Sequence, residues 1–136
     1  MNREIKYRAY IKNDYKKELI GKILDVSSIH LKTKKVIIGY SLDKSNYGNK
    51  SFSFDDIELM QYTGLHDKNG KEIYEGDIVK ITGSKGIDIG KVIYEYNGFT
   101  VDVMNMDRFY GRVHLLEKFT EVIGNIYDNP ELLGGE

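Results

Sequence analysis

Apolar and polar residues alternate from the start of the chain. Ile5, Tyr7, Ala9 and Ile11 share one parity, while Lys6, Arg8, Tyr10 and Lys12 share the other. A period of two sends successive side chains to opposite faces, so residues 5–11 read as a strand with one buried and one wet face. Residues 13–17 are polar and turn-like. A second run starts near Leu19 and is interrupted by Gly21, where a bulge or a close backbone approach is expected. A third segment sets Ile29, Leu31 and Thr33 against His30, Lys32 and Lys34. It turns near Lys34 and Lys35 and returns through the apolar run 36–40. Residues 41–51, centred on Asn46-Tyr47-Gly48-Asn49, carry the weakest pattern and read as a loop or a unit boundary.

Further along, Phe52 and Phe54 alternate with serines ahead of Asp55 and Asp56. Asp67-Lys68-Asn69-Gly70 is a turn signal, because Asn and Gly accept positive φ at low steric cost. Strands are predicted over 78–82, 87–96 and 99–103. Gly83-Ser84-Lys85-Gly86 joins the first pair, and Asn97-Gly98 joins the second as a type I′ hairpin. Residues 115–126 place Leu115, Leu116, Phe119, Val122, Ile123 and Ile126 on a helical stripe. The stretch 120–127 is nevertheless rich in β-branched residues around Gly124, and a glycine inside a helix costs about 1 kcal/mol relative to Ala. It is assigned as a strand, and 113–118 stays open between helix and strand. Pro130-Glu131-Leu132-Leu133 after Asp128 and Asn129 predicts a capped terminal helical turn with Pro at its first position.

Composition agrees with this pattern. Ile, Val, Tyr and Phe number 16, 8, 11 and 5, against one Ala and ten Leu. Side chains of this kind suit a pleated surface, and strong helix formers are scarce. The expected fold is all-β with little helix: an N-terminal β unit over 1–50, and an SH3-like barrel over 51–136 ending in a strand and a short turn. The chain has no cysteine, which excludes disulfides, thiolate metal sites and thiol nucleophiles. It has no apolar run of the roughly 18 residues a membrane helix requires, and its N-terminus lacks the apolar core of a signal peptide. A reducing cytoplasm, with no membrane contact, is the expected address.

Charge is uneven despite a net value of −1. Residues 1–35 carry +6, and 36–136 carry −7. Two readings stand: a basic N-terminal surface for nucleic acid, or mutual neutralisation within a subunit or between subunits. The basic surface comprises Lys6, Arg8, Lys12, Lys32, Lys34 and Lys35, with Tyr10 or Tyr40 placed to stack on bases.

The search for chemistry returns little. No Gly-x-Ser-x-Gly elbow accompanies His30, His66 or His114, each of which reads as a surface residue. The turn at 67–70 has the glycine of a calcium loop without its spaced acidic ligands, and reads as a hairpin turn. Asp55 and Asp56 are adjacent and point apart on a strand. One is expected in solvent and the other as a cap or turn residue. The loop 83–86 lacks Walker spacing. No catalytic, cofactor-binding or metal-ligating residue is assigned.

Three strings carry a family resemblance: Leu59-Met60-Gln61-Tyr62-Thr63-Gly64-Leu65, the run 67–79 from Asp67-Lys68-Asn69-Gly70 through Glu75-Gly76-Asp77-Ile78-Val79, and the run 121–132 including Gly124-Asn125-Ile126-Tyr127-Asp128-Asn129-Pro130. Together they resemble the YopX family of phages and prophages of Gram-positive bacteria. The opening Ile5-Lys6-Tyr7-Arg8-Ala9-Tyr10 is similar too, with Tyr10 where the family often has Trp. The resemblance implies a mainly β, SH3-like-barrel protein that self-assembles, and it brings no catalytic or ligand residues. The expected role is therefore a non-enzymatic phage accessory protein, forming a homo-oligomer and acting through macromolecular contacts in the bacterial cytoplasm. A host or phage protein is a further candidate partner. The contrasting reading is a nucleic-acid-binding regulatory module that uses the basic N-terminal surface.

Overall fold

The computed structural model of the chain describes residues 4–84, 86–95, 97–103, 112–113 and 117–134. Every regular element among them is a strand or a short 3-10 turn, so the protein is all-β. The chain divides into two compact units, Ile5–Gln61 and the part from Tyr62 onward. The units divide at 61/62, inside a strand.

The first unit is an antiparallel meander. Strands β1 (Tyr7–Ile11), β2 (Ile23–His30), β3 (Lys35–Asp43), β4 (Asn46–Ser53) and β5 (Ile57–His66) stand in the order β4-β3-β2-β1-β5. A 3-10 turn, η1 (Phe54–Asp56), joins β4 to β5. This turn is pinned at both ends. The Phe54 N–H donates to the Lys34 carbonyl at 2.9 Å, and the Lys12 N–H donates to the Asp56 carbonyl at 2.8 Å. The end of β1 and the β2–β3 turn are thereby fastened to the same three residues. Alternation holds on β1 from Tyr7 onward, with Ala9 and Ile11 fully buried, whereas Ile5, expected on the same buried face, precedes the strand and is 66% exposed. Ala9 and Ile11 form a core with Leu19, Val36, Ile38, Phe52 and Ile57.

Three local expectations are corrected here. Residues 41–51 are not a loop: β3 runs to Asp43 and β4 starts at Asn46, with Gly39 opposite Asn49 and Tyr40 opposite Gly48. Tyr40 packs over Gly48, with its Oη at ordinary contact distance, 3.4 Å, from where a Cβ would stand. Cross-strand packing of this kind outweighs weak local propensity. The alternation at 29–34 ends early, because Leu31 lies in the turn and is 78% exposed. Lys34 takes φ 57° in that turn. The second run becomes strand only at Ile23, since Gly21 (φ 86°) turns the chain and donates its N–H to the Ile11 carbonyl at 2.9 Å.

The second unit holds the end of β5, paired with β6 (Glu72–Tyr74), and a sheet of β7 (Asp77–Gly83), β8 (Gly86–Glu95), β9 (Gly98–Val103), β10 (Arg112–Val113) and β11 (Thr120–Asn125). The sheet order is β10-β9-β8-β7-β11. Ile73, Val79, Ile81, Val92, Val101 and Val103 form its core. The three strands predicted across 78–103 are present, with one shift: Gly98 already pairs with Glu95, and Asn97 (φ 88°) takes the turn position. The stretch 120–127 is a strand as far as Asn125. Of 113–118, Val113 is strand and residues 117–118 open a 3-10 turn, while 114–116 lie outside the described residues. Pro130–Leu133 forms the terminal turn, but Asn129 makes no side-chain cap to it.

Candidate functional site

The six basic candidates do not form one uniform patch. Lys12 is ion-paired with Glu58 at 3.0 Å. Arg8 is half-buried in β1, opposite Asp25 on one side and Met60 on the other. Lys6 is half-buried just before that strand. Lys32, Lys34 and Lys35 are exposed at the β2–β3 turn. Closure through η1 brings the backbones of Lys34 and Lys12 to the same short turn, where Asp55, Asp56 and Glu58 interleave with them. The result is a surface of mixed sign.

Beside it lies a groove of about 320 Å³, lined by the β1–β2 connection (Asn13, Asp14, Tyr15, Lys17, Ile20) and by Lys50, Ser51, Phe52 and Asp56. Its floor is an ion pair between Lys50 and Asp14, whose side chain is fully buried. The other oxygen of Asp14 accepts the Leu19 N–H at 3.0 Å. Burial alone would raise the Asp14 carboxyl pKa. The hydrogen bond from Lys50, the Leu19 N–H and the Lys50 charge outweigh it, and the net direction is downward from 3.8. An ionised carboxylate there cancels the one charge on β4.

The β4 strand is the outermost of its sheet. It is eight residues long, with Tyr47, Asn49 and Ser51 exposed. In an edge strand the N–H and C=O groups of alternate residues face outward. Among the described residues, none of those outward groups on β4 has a backbone partner.

The outermost strand β11 is treated differently. Beyond it sits the turn at 67–70, in which Gly70 (φ 85°) donates its N–H to the Asp67 carbonyl at 2.9 Å. The Lys68 N–H donates to the Thr120 carbonyl at 2.8 Å, and the Val122 N–H donates to Asp67 Oδ2 at 2.9 Å. Thr120 and Val122 are two apart and show the same edge, so the turn bonds to β11 as an added strand would. Asp67 Oδ1 meanwhile accepts the N–H groups of Asn69 and Lys71, both at 2.9 Å. Burial pushes the Asp67 carboxyl up, but the N–H donors of Val122, Lys71 and Asn69 and the Lys71 charge bring it below 3.8. Further along, Asn129 Oδ1 accepts the Asn125 N–H at 3.2 Å. A Cβ on Gly124 would lie 2.5 Å from that oxygen, so only glycine fits. The motif with the glycine of a calcium loop is thus a clasp whose carboxylate is committed to N–H donors. Sequence spacing marked the turn and missed its partner strand, because 55 residues separate Asp67 from Val122.

The two described histidines, His30 and His66, belong to different units. His30 is exposed beside Ser28 Oγ at 3.2 Å. Exposed His66 has Nδ1 3.4 Å from the hydroxyl of buried Tyr62, whose ring lies 5.4 Å from that of Tyr74. His114 lies outside the described residues. Among those residues, no cluster of three His, Asp or Glu side chains could hold a metal ion. No helix among them is long and apolar enough to cross a membrane.

Comparison with known proteins follows the same lines. Residues 6–134 match the family model described as YopX protein. A prophage protein of Bacillus subtilis strain 168, described as "SPbeta prophage-derived uncharacterized protein YopX", is 42% identical over 71 residues, 48% of this chain and 53% of that one. The chain therefore spans about half the length of that curated relative. The crystal structure of protein EF1440 from Enterococcus faecalis aligns over 97% of this chain and 99% of its own, with a TM-score of 0.60 and 24% identity. That likeness speaks to fold.

Proposed function

The chain belongs to the YopX family, and from that premise we propose that it is a phage-encoded accessory protein which assembles with copies of itself and acts through macromolecular contacts. It performs no bond-making of its own and works in the cytoplasm of the host bacterium. The observation that supports this reading is the outer edge of β4, eight residues of strand with outward backbone groups that have no partner among the described residues. Bare edges of that kind are templates for pairing with another chain. Light scattering on chromatographed protein across a hundredfold range of concentration tests it, with a dimer or larger species expected. A strict monomer throughout overturns self-assembly.

A second reading, nucleic-acid binding, draws on the exposed Lys32, Lys34 and Lys35 at one turn. The pairing of Lys12 with Glu58 and the interleaved acids at η1 weaken it. Electrophoretic retardation of single- and double-stranded oligonucleotides at two salt concentrations decides it. Phosphate contacts are strongest at low salt, so no retardation there ends this reading.

A further inference from the structure

We propose that two copies of the chain join through antiparallel pairing of β4 with the second copy's β4, about a two-fold axis that sets Asn49 opposite Asn49. This rests on the self-assembly reading and names its seam and register.

The register follows from what faces what. Directly opposed residues in an antiparallel pair share a face, and a two-fold axis places one residue opposite itself. Centring on Lys50 would set two lysine side chains, each tied to its own Asp14, directly against each other. Centring on Asn49 instead sets Tyr47 opposite the second copy's Ser51, and Lys50 opposite Gly48. All three outer-face residues, Tyr47, Asn49 and Ser51, are exposed and uncharged. Tyr47 is 75% exposed, an aromatic body free to lie across the seam. Lys50, the strand's only charge, is neutralised by Asp14 in its own copy.

The strand ends fit the same arrangement. Pairing about Asn49 sets Lys44, beyond one end of β4, opposite Phe54 and one position from Asp55, while Asp43 comes opposite Asp55. Asp43 at the Lys44 end is turned into its own hairpin, where its Oδ1 accepts the N–H and hydroxyl of Ser45 at 2.9 and 3.0 Å. The devices that blunt edge strands elsewhere are proline, bulges, unpaired charge or a covering segment. β4 contains no proline, and its register with β3 is regular from Lys35 to Ser41, shifting only at the hairpin end between Ser41 and Asp43.

The chain has no native cysteine, so single introduced cysteines report the register cleanly. Directly opposed residues sit about 4.5–5.5 Å apart between Cα atoms, within disulfide range. Oxidised Asn49→Cys is expected to become a covalent dimer. Tyr47→Cys and Ser51→Cys are expected to cross-link when mixed and not alone. Asn49→Lys, whose side chain faces solvent, is expected to weaken association about tenfold while leaving the circular dichroism unchanged. If the wild type is monomeric at every concentration, both this proposal and self-assembly fall. If it assembles, yet Asn49→Cys does not cross-link and Asn49→Lys associates normally, the β4 seam falls and self-assembly stands.

Discussion

Two outermost strands, β4 and β11, face the same physical problem, and the chain answers it in two ways. Each would present unpaired backbone groups on its outer side. For β11 the chain supplies a local cover: the Asp67 turn bonds Thr120 and Val122, and Asn129 bonds Asn125. For β4 it supplies no cover among the described residues. It also removes the one obstacle to pairing by neutralising Lys50 with a buried aspartate. Two buried carboxylates thus serve opposite ends. Asp67 closes an edge, and Asp14 keeps an edge neutral.

The largest effect should come from uncovering β11. Asp67→Ala removes the acceptor for three N–H groups at once and is expected to destabilise the second unit by about 3 kcal/mol, given that a hydrogen bond to a charged group contributes about 1.5–3 kcal/mol. Chemical denaturation followed by hydrogen exchange at β11 reads this directly, with loss of protection at Val122 as its local mark. Acid should imitate the substitution. The folded pKa values of Asp67 and Asp14 lie below 3.8, so the folded state binds fewer protons than the unfolded chain. The stability they contribute is therefore full above that value and lost as pH falls through the depressed folded values. In the Asp67→Ala protein, the fall in unfolding midpoint between pH 5 and strongly acid solution should be shallower than in wild type.

The next effect concerns the bare edge. Asp14→Asn leaves Lys50 charged on β4 with its partner gone. Lys50 is partly exposed, so the expected cost to the first unit is about 2 kcal/mol, below the 3–5 kcal/mol of fully buried pairs. Self-association should weaken in the same variant, because an uncompensated ammonium group now stands on the pairing strand. Sedimentation equilibrium and thermal unfolding of one preparation measure both. Weaker folding with unchanged association would sever Asp14 from the seam.

How far these features could be read in advance depended on how local they are. The alternation in β1 was legible because Ala9 and Ile11 announce the buried face within one strand. The strands between Asp77 and Val103 were legible because glycine and asparagine mark their turns. β4 was not, since Asn46-Tyr47-Gly48-Asn49 is a loop by propensity and becomes strand through its pairing with β3, where Gly48 stands opposite Tyr40. The clasp on β11 was half legible. Its turn is written in Asp67-Lys68-Asn69-Gly70, whereas its target is a strand far along the chain. Of the basic candidates, Lys32, Lys34 and Lys35 are exposed because they lie in or beside the β2–β3 turn, where both parities face solvent. Lys12 is joined to an acid 46 residues away, which period-two reading cannot see.

The smallest effect probes whether the cover on β11 is one device or two. Asn129→Ala removes the acceptor of the Asn125 N–H while leaving the three bonds of Asp67 in place. A single neutral hydrogen bond contributes about 1 kcal/mol, and the loss should be of that size. The Ile123 bulge, where the pairing of β11 with β7 shifts register between Val122 and Gly124, separates the two fasteners along the strand. Their effects should then be independent, so that the Asp67→Ala, Asn129→Ala double variant loses the sum of the single losses. A loss clearly short of the sum would mean that the edge opens as one piece once Asp67 is gone. The bulge would then be a joint within a single cover, with Asn129 holding only what the aspartate has already placed.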